Sequence, residues 1–411
     1  MLKPAGLLNA GLVTAALLSG GCQKTSAPLP SPTAVPSGQT LQVLSFPGYF
    51  APNTLARFES ETGNKVAAAT YATNEELLER LTHDGAAYDV VFPSSYAVER
   101  LIREGKLLPM QRERVPNLVH VTTDFRNPPY DPSLRHCIPY AWVAAGIGYV
   151  FSKDSTRQPD SLSALFAPTG PRLVWLDDMR ATLGMALRSL GRSASTQQAA
   201  DLLEAQKLLL AALPRVDGLV EDPVPLLQTG TTTLSLAWST EVYSIHRERD
   251  DIRFAVAQEG TILYVDYACV LAGAKHPDVA FAFLNHLLEP QVAAEITNTI
   301  MLPVPNEPAR RLLEGEGRTM WGLFEFMRNH NRSYETLRDV GPAQAAYEQT
   351  WSKLKESLAA QKARRSEDPA GRGPVGPATK KAKASGKPPG KSEPDPPEDE
   401  TSTPGGQKKP R

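Results

Sequence analysis

The sequence predicts an α/β fold in two lobes, and three observations carry that expectation. Short apolar strands alternate with amphipathic helices three times between residues 41 and 108, the pattern of parallel strands with helices packed on the faces of a sheet. A second alternating region opens near Pro171. The chain has 411 residues, more than one small core organises.

The N-terminus, MLKPAGLLNAGLVTAALLSGGC, holds an apolar run from Leu7 to Leu18 after a single Lys3. That run is well short of the roughly 20 residues a spanning helix needs, so residues 1–21 read as a secretory signal. Cys22, directly behind small residues, is similar to the lipobox cysteine of bacterial lipoproteins, although Ser19 stands where that pattern usually has Leu and Leu18 comes one place early. The resemblance implies acylation at Cys22 and a membrane-anchored protein, periplasmic or at the cell surface; a plain secreted protein is the alternative. Residues 22–39 form a Pro/Ser-rich tether.

The folded part starts with LQVLSF, a strand, followed by a helix with Leu55, Ala56 and Phe58 inward and Gly63 at its end. VAAATY is the second strand. In TNEELLERL, Thr73 and Glu76 make a capping box ahead of Leu77, Leu78 and Leu81, with Gly85 closing the helix. YDVVFPSS is the third strand, and the next helix turns Val98, Leu101 and Ile102 inward. Parallel sheets bind ligands at the carboxyl ends of their strands, which here carry Phe46 to Tyr49 and Pro93 to Tyr96. Topology thus marks Tyr49 and Tyr96, though isolated tyrosines are commonly packing residues.

In the second region RLVWL is a strand, DDMRATLGMALRSLG a helix with acidic residues at its positive end, and TTLSLAW a strand ending at Trp238. Asp178 also lies past a strand end, where capping the helix would be sufficient reason for it. ILYVDYACVLAG reads as a mostly buried strand with one carboxylate, Asp266, in its middle. An unpaired buried carboxylate is costly, so Asp266 either caps a turn at a strand end or awaits a cation, with Tyr264 on the same strand face as an aromatic wall. The segment alone leaves both open. From 361 to 411 the chain is rich in Pro, Gly and Lys and lacks aromatics, the composition of a disordered tail.

A net charge of -1 with 22% charged residues gives no argument for nucleic acid. No Walker loop, H-E-x-x-H, G-x-S-x-G or C-x-x-C is present, so neither an enzyme nor a cofactor or metal is expected. Cys137 and Cys269 lie in apolar runs, where free cysteines pack as small hydrophobes; two thiols give no framework and no bridge is assumed.

Taken in order, SFPGYFAPNTLARFESETGNKV, YATNEELLERL, YDVVFPSSYAVERLIREGKL, CIPYAWVAAGIGYV, WLDDMRATLGMALRSLG, LAWSTEVY, YVDYACVLAG and LPVPN resemble, at matching spacing, the spermidine/putrescine-binding proteins of bacterial polyamine ABC importers. The resemblance covers roughly Leu41 to Leu358. It implies a type II periplasmic binding protein, monomeric, with a hinge and an interlobe ligand cleft that closes on its ligand. The implied lobes are 40–144 with 265–310, and 145–264 with 311–360. It further implies a small cationic amine as ligand and ABC permease subunits as partners. By position, Asp266 matches a carboxylate on an amine within the ligand, Asp178 one on a terminal amine, and Trp238 and Tyr264 aromatic walls; Tyr49, Tyr96 and Ser94 also match, and Phe46 replaces a wall tryptophan.

The sequence departs from that family at four cleft positions. Gly48 and Ala181 stand in place of glutamates, Leu302 of a tyrosine and Leu337 of a glutamine. At about 1.5 to 3 kcal/mol per hydrogen bond to a charged group, two lost carboxylates remove about 3 to 6 kcal/mol, against about 8 for micromolar binding. Glu241 and Asp222 are candidate replacements, with an exposed helix-start glutamate the favoured reading of Glu241. A smaller amine resting its apolar part on Leu302 and Leu337 is the other way to accommodate the loss.

Overall fold

The computed structural model describes residues 35–84, 87–152, 158–330 and 333–367. The segment expected to be a signal, Cys22, most of the expected tether, Gly85 and the residues beyond Glu367 lie outside the described residues. The first alternation holds: β1 (Thr40–Ser45), α1 (Thr54–Thr62), β2 (Lys65–Thr70), α2 (Asn74–Asp84), β3 (Val90–Val91) and α3 (Ser95–Arg103) follow in order. A long strand, β4 (Cys137–Val150), leads to α4 (Ser163–Phe166), β5 (Leu173–Leu176), α5 (Met179–Ser189), α6 (Ala199–Ala212), β6 (Val216–Val220), α7 (Val224–Gln228), β7 (Leu234–Trp238), α8 (Ser239–Ser244) and β8 (Ile252–Ala255). The second long strand, β9 (Thr261–Val270), is followed by α9 (Pro277–Leu287), α10 (Pro290–Ile300), α11 (Gly315–Asn329), β10 (Tyr334–Thr336) and α12 (Gln344–Glu367).

Local chemistry explains the helix ends. Gly63 closes α1 at φ 68°, the left-handed conformation that glycine adopts without strain. At α2 the Thr73 hydroxyl accepts from the Glu76 amide, while the Glu76 carboxylate reaches back to the Ala72 amide, one residue beyond the expected reciprocal partner.

The strands lie in the order β2, β1, β3, β9, β4, β7, β5, β6, with β10 beside β9 and β8 beside β4. Pairing is parallel at both ends, where β1 joins β2 and β3, and β5 joins β6 and β7. It is antiparallel through the centre, where β9 pairs with β3 and β4, and β4 with β7. The two long strands are therefore shared by both halves. Along β4, Ala144 packs in the first core and Ala145 in the second; along β9, Leu263 and Val265 face the first while Ile262 and Tyr264 face the second.

Two expectations change. Residues 311–360 divide between the cores: Met320, Trp321, Phe324 and Met327 of α11 pack in the first, whereas Tyr347, Leu354 and Leu358 of α12 pack in the second. α12 also runs past the tail boundary at 360, to Glu367. Cys137 and Cys269 are not two packed thiols but a disulfide, with Cα atoms 4.5 Å apart. They are register partners on β4 and β9, separated by 132 residues, a non-local pairing that the two apolar runs do not reveal separately.

Candidate functional site

At the boundary of the two cores lies a cavity of about 480 Å³, floored by β9 and rimmed by the carboxyl ends of β1, β5, β6 and β7. The turn after β1 carries Phe46, Pro47, Gly48 and Tyr49; the Pro-Gly order suits a tight turn, and Gly48 adopts φ 70°. Phe46 and Tyr49 stand with ring centroids 5.1 Å apart.

Asp266 is buried at the cavity floor. Tyr49 donates to its Oδ2 and Ser94 to its Oδ1, each at 2.5 Å. Behind Ser94, the Asn74 amide donates to the Ser94 hydroxyl and accepts from the Ser94 backbone N–H, both at 2.9 Å, so the serine is held from two sides. Asn74 opens α2 and had no signal in the sequence beyond standing at a helix start. Burial pushes the Asp266 carboxyl up to about 6, against the two hydrogen bonds that favour its ionised form. Burial also holds the Tyr49 phenol well above its usual range, which keeps it a donor.

Asp178 caps a helix and also lines the cavity. Its Oδ1 caps α5 by accepting from the Ala181 amide at 2.7 Å, and the same oxygen accepts from the Tyr264 hydroxyl at 3.0 Å while the residue lines the cavity. Burial raises its pKa above the ordinary carboxylate value. Trp238, the last residue of β7, meets Tyr264 edge to face at 4.9 Å, and both rings form cavity wall.

Tyr96 is placed elsewhere. It is absent from the lining: its ring packs against the Arg180 guanidinium at 4.8 Å in the second core, and its hydroxyl bonds to Glu75 at 3.2 Å. Leu337 is likewise buried in the second core, its carbonyl accepting from the Ser95 hydroxyl, and offers no cavity surface; Leu302 does line the cavity, beside Ile300.

Glu241 is not an exposed helix-start glutamate. It lines the cavity, and its Oε2 is buried without a hydrogen-bond partner. Burial, aided by the nearby Asp222 charge, pushes its pKa up to about 9. Asp222 itself is not in the lining, and its Oδ1 accepts from the Val224 amide at the start of α7 at 2.8 Å; its neighbour Glu221 lines the cavity in its place. Five carboxylates thus line the site: Asp177, Asp178, Glu221, Glu241 and Asp266. Among the described residues, no Lys or Arg lines the site, and of the five acids Asp177 alone is in an ion pair, with Lys355 at 2.7 Å.

Two cores joined through shared central strands, with an acidic and aromatic cavity where they meet, define a two-lobed solute-binding protein. Comparison with known proteins makes the assignment specific. The bacterial extracellular solute-binding protein family model matches residues 53–311. The spermidine/putrescine-binding periplasmic protein of Escherichia coli K12 is 32% identical over 322 residues, covering 77% of this chain and 91% of that protein. The putrescine/cadaverine-binding protein of Pseudomonas aeruginosa is 28% identical over 359 residues, covering 84% and 98%. A solved structure described as a putative spermidine/putrescine ABC transporter from Listeria monocytogenes matches with TM-score 0.72 at 27% identity, covering 77% of this chain and 98% of that one. The chain belongs to the bacterial extracellular solute-binding protein family.

Proposed function

We propose that this protein captures a diamine or polyamine outside the cytoplasm and delivers it to the permease of an ABC importer, without catalysing a reaction. One observation carries the reading: a partly open cavity lined by five carboxylates, four of them in no ion pair, and by no basic residue, among the described residues. These carboxyl groups lack cationic partners, and burial drives Glu241, Asp266 and Asp178 toward their protonated forms, so a ligand with two or more ammonium groups supplies the positive charge that would let them ionise. Phe46, Tyr49, Trp238 and Tyr264 offer ring faces to ammonium groups and methylenes, and Ile300 and Leu302 add aliphatic surface for a carbon chain. The relatives named for spermidine, putrescine and cadaverine support the same ligand class. The lipobox-like segment supports anchoring through an acylated Cys22, which would hold the protein beside its permease.

Calorimetry on the purified full-length chain with putrescine, cadaverine and spermidine tests this, alongside Asp266→Asn. Micromolar binding is expected, weakened about 10- to 150-fold by the substitution, since a charge-assisted contact is worth about 1.5 to 3 kcal/mol. Absence of binding to all three amines by folded protein overturns the reading.

A further inference from the structure

Away from the cavity, three side chains converge on the face of the first core. Glu61 lies in the last turn of α1, His286 in the last turn of α9, and Glu289 immediately before α10. Their ligand atoms lie within 4.8 Å of one another.

The imidazole is the informative member. His286 is 3% exposed, and its Nε2 stands 3.0 Å from the Thr54 carbonyl oxygen. A carbonyl only accepts, so Nε2 carries a proton, and in the neutral ring the lone pair sits on Nδ1. That Nδ1 is buried and has no hydrogen-bond partner. Glu61 Oε2 and Glu289 Oε1 each stand 3.6 Å from it. The other oxygen of each glutamate is held by Arg57, Glu61 Oε1 by Nε and Glu289 Oε2 by a terminal nitrogen, both at 2.9 Å.

Two carboxylate oxygens therefore stand beside one unpartnered imidazole nitrogen, all within 4.8 Å of one another, with the other carboxylate oxygens and Nε2 already engaged. Ligand atoms about 2.0 to 2.1 Å from a tetrahedral ion stand about 3.3 to 3.4 Å apart, close to the 3.6 Å of the two nitrogen–oxygen pairs, and the two oxygens lie within 4.8 Å of each other. A backbone carbonyl on the far imidazole nitrogen is the usual device for fixing the tautomer of a metal-binding histidine. An imidazolium salt bridge explains the cluster less well, because a proton on Nδ1 would find both acceptors beyond hydrogen-bond range.

We propose that Glu61, His286 and Glu289 form a divalent-cation site, for Zn²⁺ or an ion of similar taste for mixed nitrogen and oxygen ligands, with a further position open to water. The Glu61 and Glu289 side chains are 46% and 27% exposed, so an ion enters from solvent. Bound there, it clamps α1 to the junction of α9 and α10.

Zn²⁺ titration of the untagged, chelator-treated full-length chain tests the site, with the double variant Glu61→Gln/Glu289→Gln, Asp266→Asn and wild type side by side. Wild type is expected to take up one Zn²⁺ per chain at micromolar affinity or better and to unfold at higher temperature with it. The double variant, whose thermal unfolding without metal establishes that it folds, is expected to bind at least tenfold more weakly, and Asp266→Asn to bind as wild type does. No stoichiometric uptake by wild type, or equal uptake by the double variant, overturns the proposal. Loss of uptake in Asp266→Asn instead would place the ion in the amine cavity and overturn it as well.

Discussion

Replacing Glu241 by Gln separates two effects that one carboxyl group imposes in opposite directions. In the folded chain its pKa is about 9, raised by burial and by Asp222 from an ordinary value of 4.5. A raised pKa means the folded state holds the proton that the unfolded state has released. Stability from this group is fully present below pH 4.5 and is lost as pH rises through 9. Between pH 5 and pH 8 the loss amounts to about 4 kcal/mol, at about 1.4 kcal/mol per pH unit of difference. Gln cannot titrate, so the ligand-free variant is expected to lose correspondingly less stability over that range. Amine binding runs the other way. If an ammonium contacts ionised Glu241, about 2.7 kcal/mol goes to removing its proton at pH 7 and about 1.4 at pH 8. Wild-type diamine affinity should therefore climb close to tenfold per unit in that interval, with about one proton released per ligand. Denaturant unfolding at several pH values and calorimetry in buffers of different ionisation enthalpy read both quantities. Equal proton release and equal pH slopes in wild type and Glu241→Gln would refute the assignment of Glu241 to the ligand.

Other substitutions isolate single roles. Asp178→Asn keeps an oxygen for the Ala181 amide, and Asn caps helices as well as Asp, so stability should stay within about 0.5 kcal/mol while diamine affinity falls about 10- to 150-fold. Asp178→Ala should add a capping loss of about 1 kcal/mol, visible in thermal unfolding. Replacing both cysteines by Ala opens a cross-link across 132 residues, for a loss of about 2 to 5 kcal/mol and a fall in midpoint of roughly 3 to 7 °C in a folded part of this size. Because the bridge lies in the first core and not on the cavity, amine affinity measured below the transition should be unchanged; a large change would mean that it sets the geometry of the shared strands.

The residues that the sequence placed well are those fixed by local topology. Tyr49, Asp178 and Trp238 stand where a strand gives way to a turn or helix, and the ends of parallel strands converge. Asp266 and Tyr264 share a strand face by period two and share the cavity floor. The misplacements are of another kind. Tyr96 follows a strand end too, but it sits in the first turn of α3, and the rotation of that helix directs its ring to Arg180. Glu241 has the sequence context of an exposed helix-start acid; its burial comes from α8 packing on β4, β8 and α11, contacts distant in sequence. The same holds for the disulfide, which needs β4 and β9 to be neighbours. Asn74 and Glu221 depend on which way a side chain leaves a helix start or a strand end, which no periodicity in the neighbouring residues decides.

The acids of the cavity are unevenly sited, and the unevenness bears on selectivity. Asp177, Asp178, Glu221 and Glu241 all follow strands of the second half, β5, β6 and β7; the turn after β1 contributes rings and backbone but no charge. Gly48 explains part of that, because at φ 70° a glutamate would cost about 1 to 2 kcal/mol in backbone strain, so the tight turn and an acid at this position oppose each other. Burial raises the pKa of Asp266 and of Glu241, and the neighbouring charges of Asp178 and Asp222 respectively raise them further, so protons stand where ammonium groups would otherwise serve. A monoamine held at Asp266 needs only a carboxylate that is already ionised above pH 6. A diamine that also reaches Glu241 must displace a proton held up to about pH 9. Discrimination between the two should therefore widen as pH rises from 7 toward 8.5, in wild type but not in Glu241→Gln, and matched titrations with putrescine and butylamine measure it directly. A ratio that does not change with pH would mean that the second ammonium is met elsewhere, with Asp178 or Glu221 the groups to test.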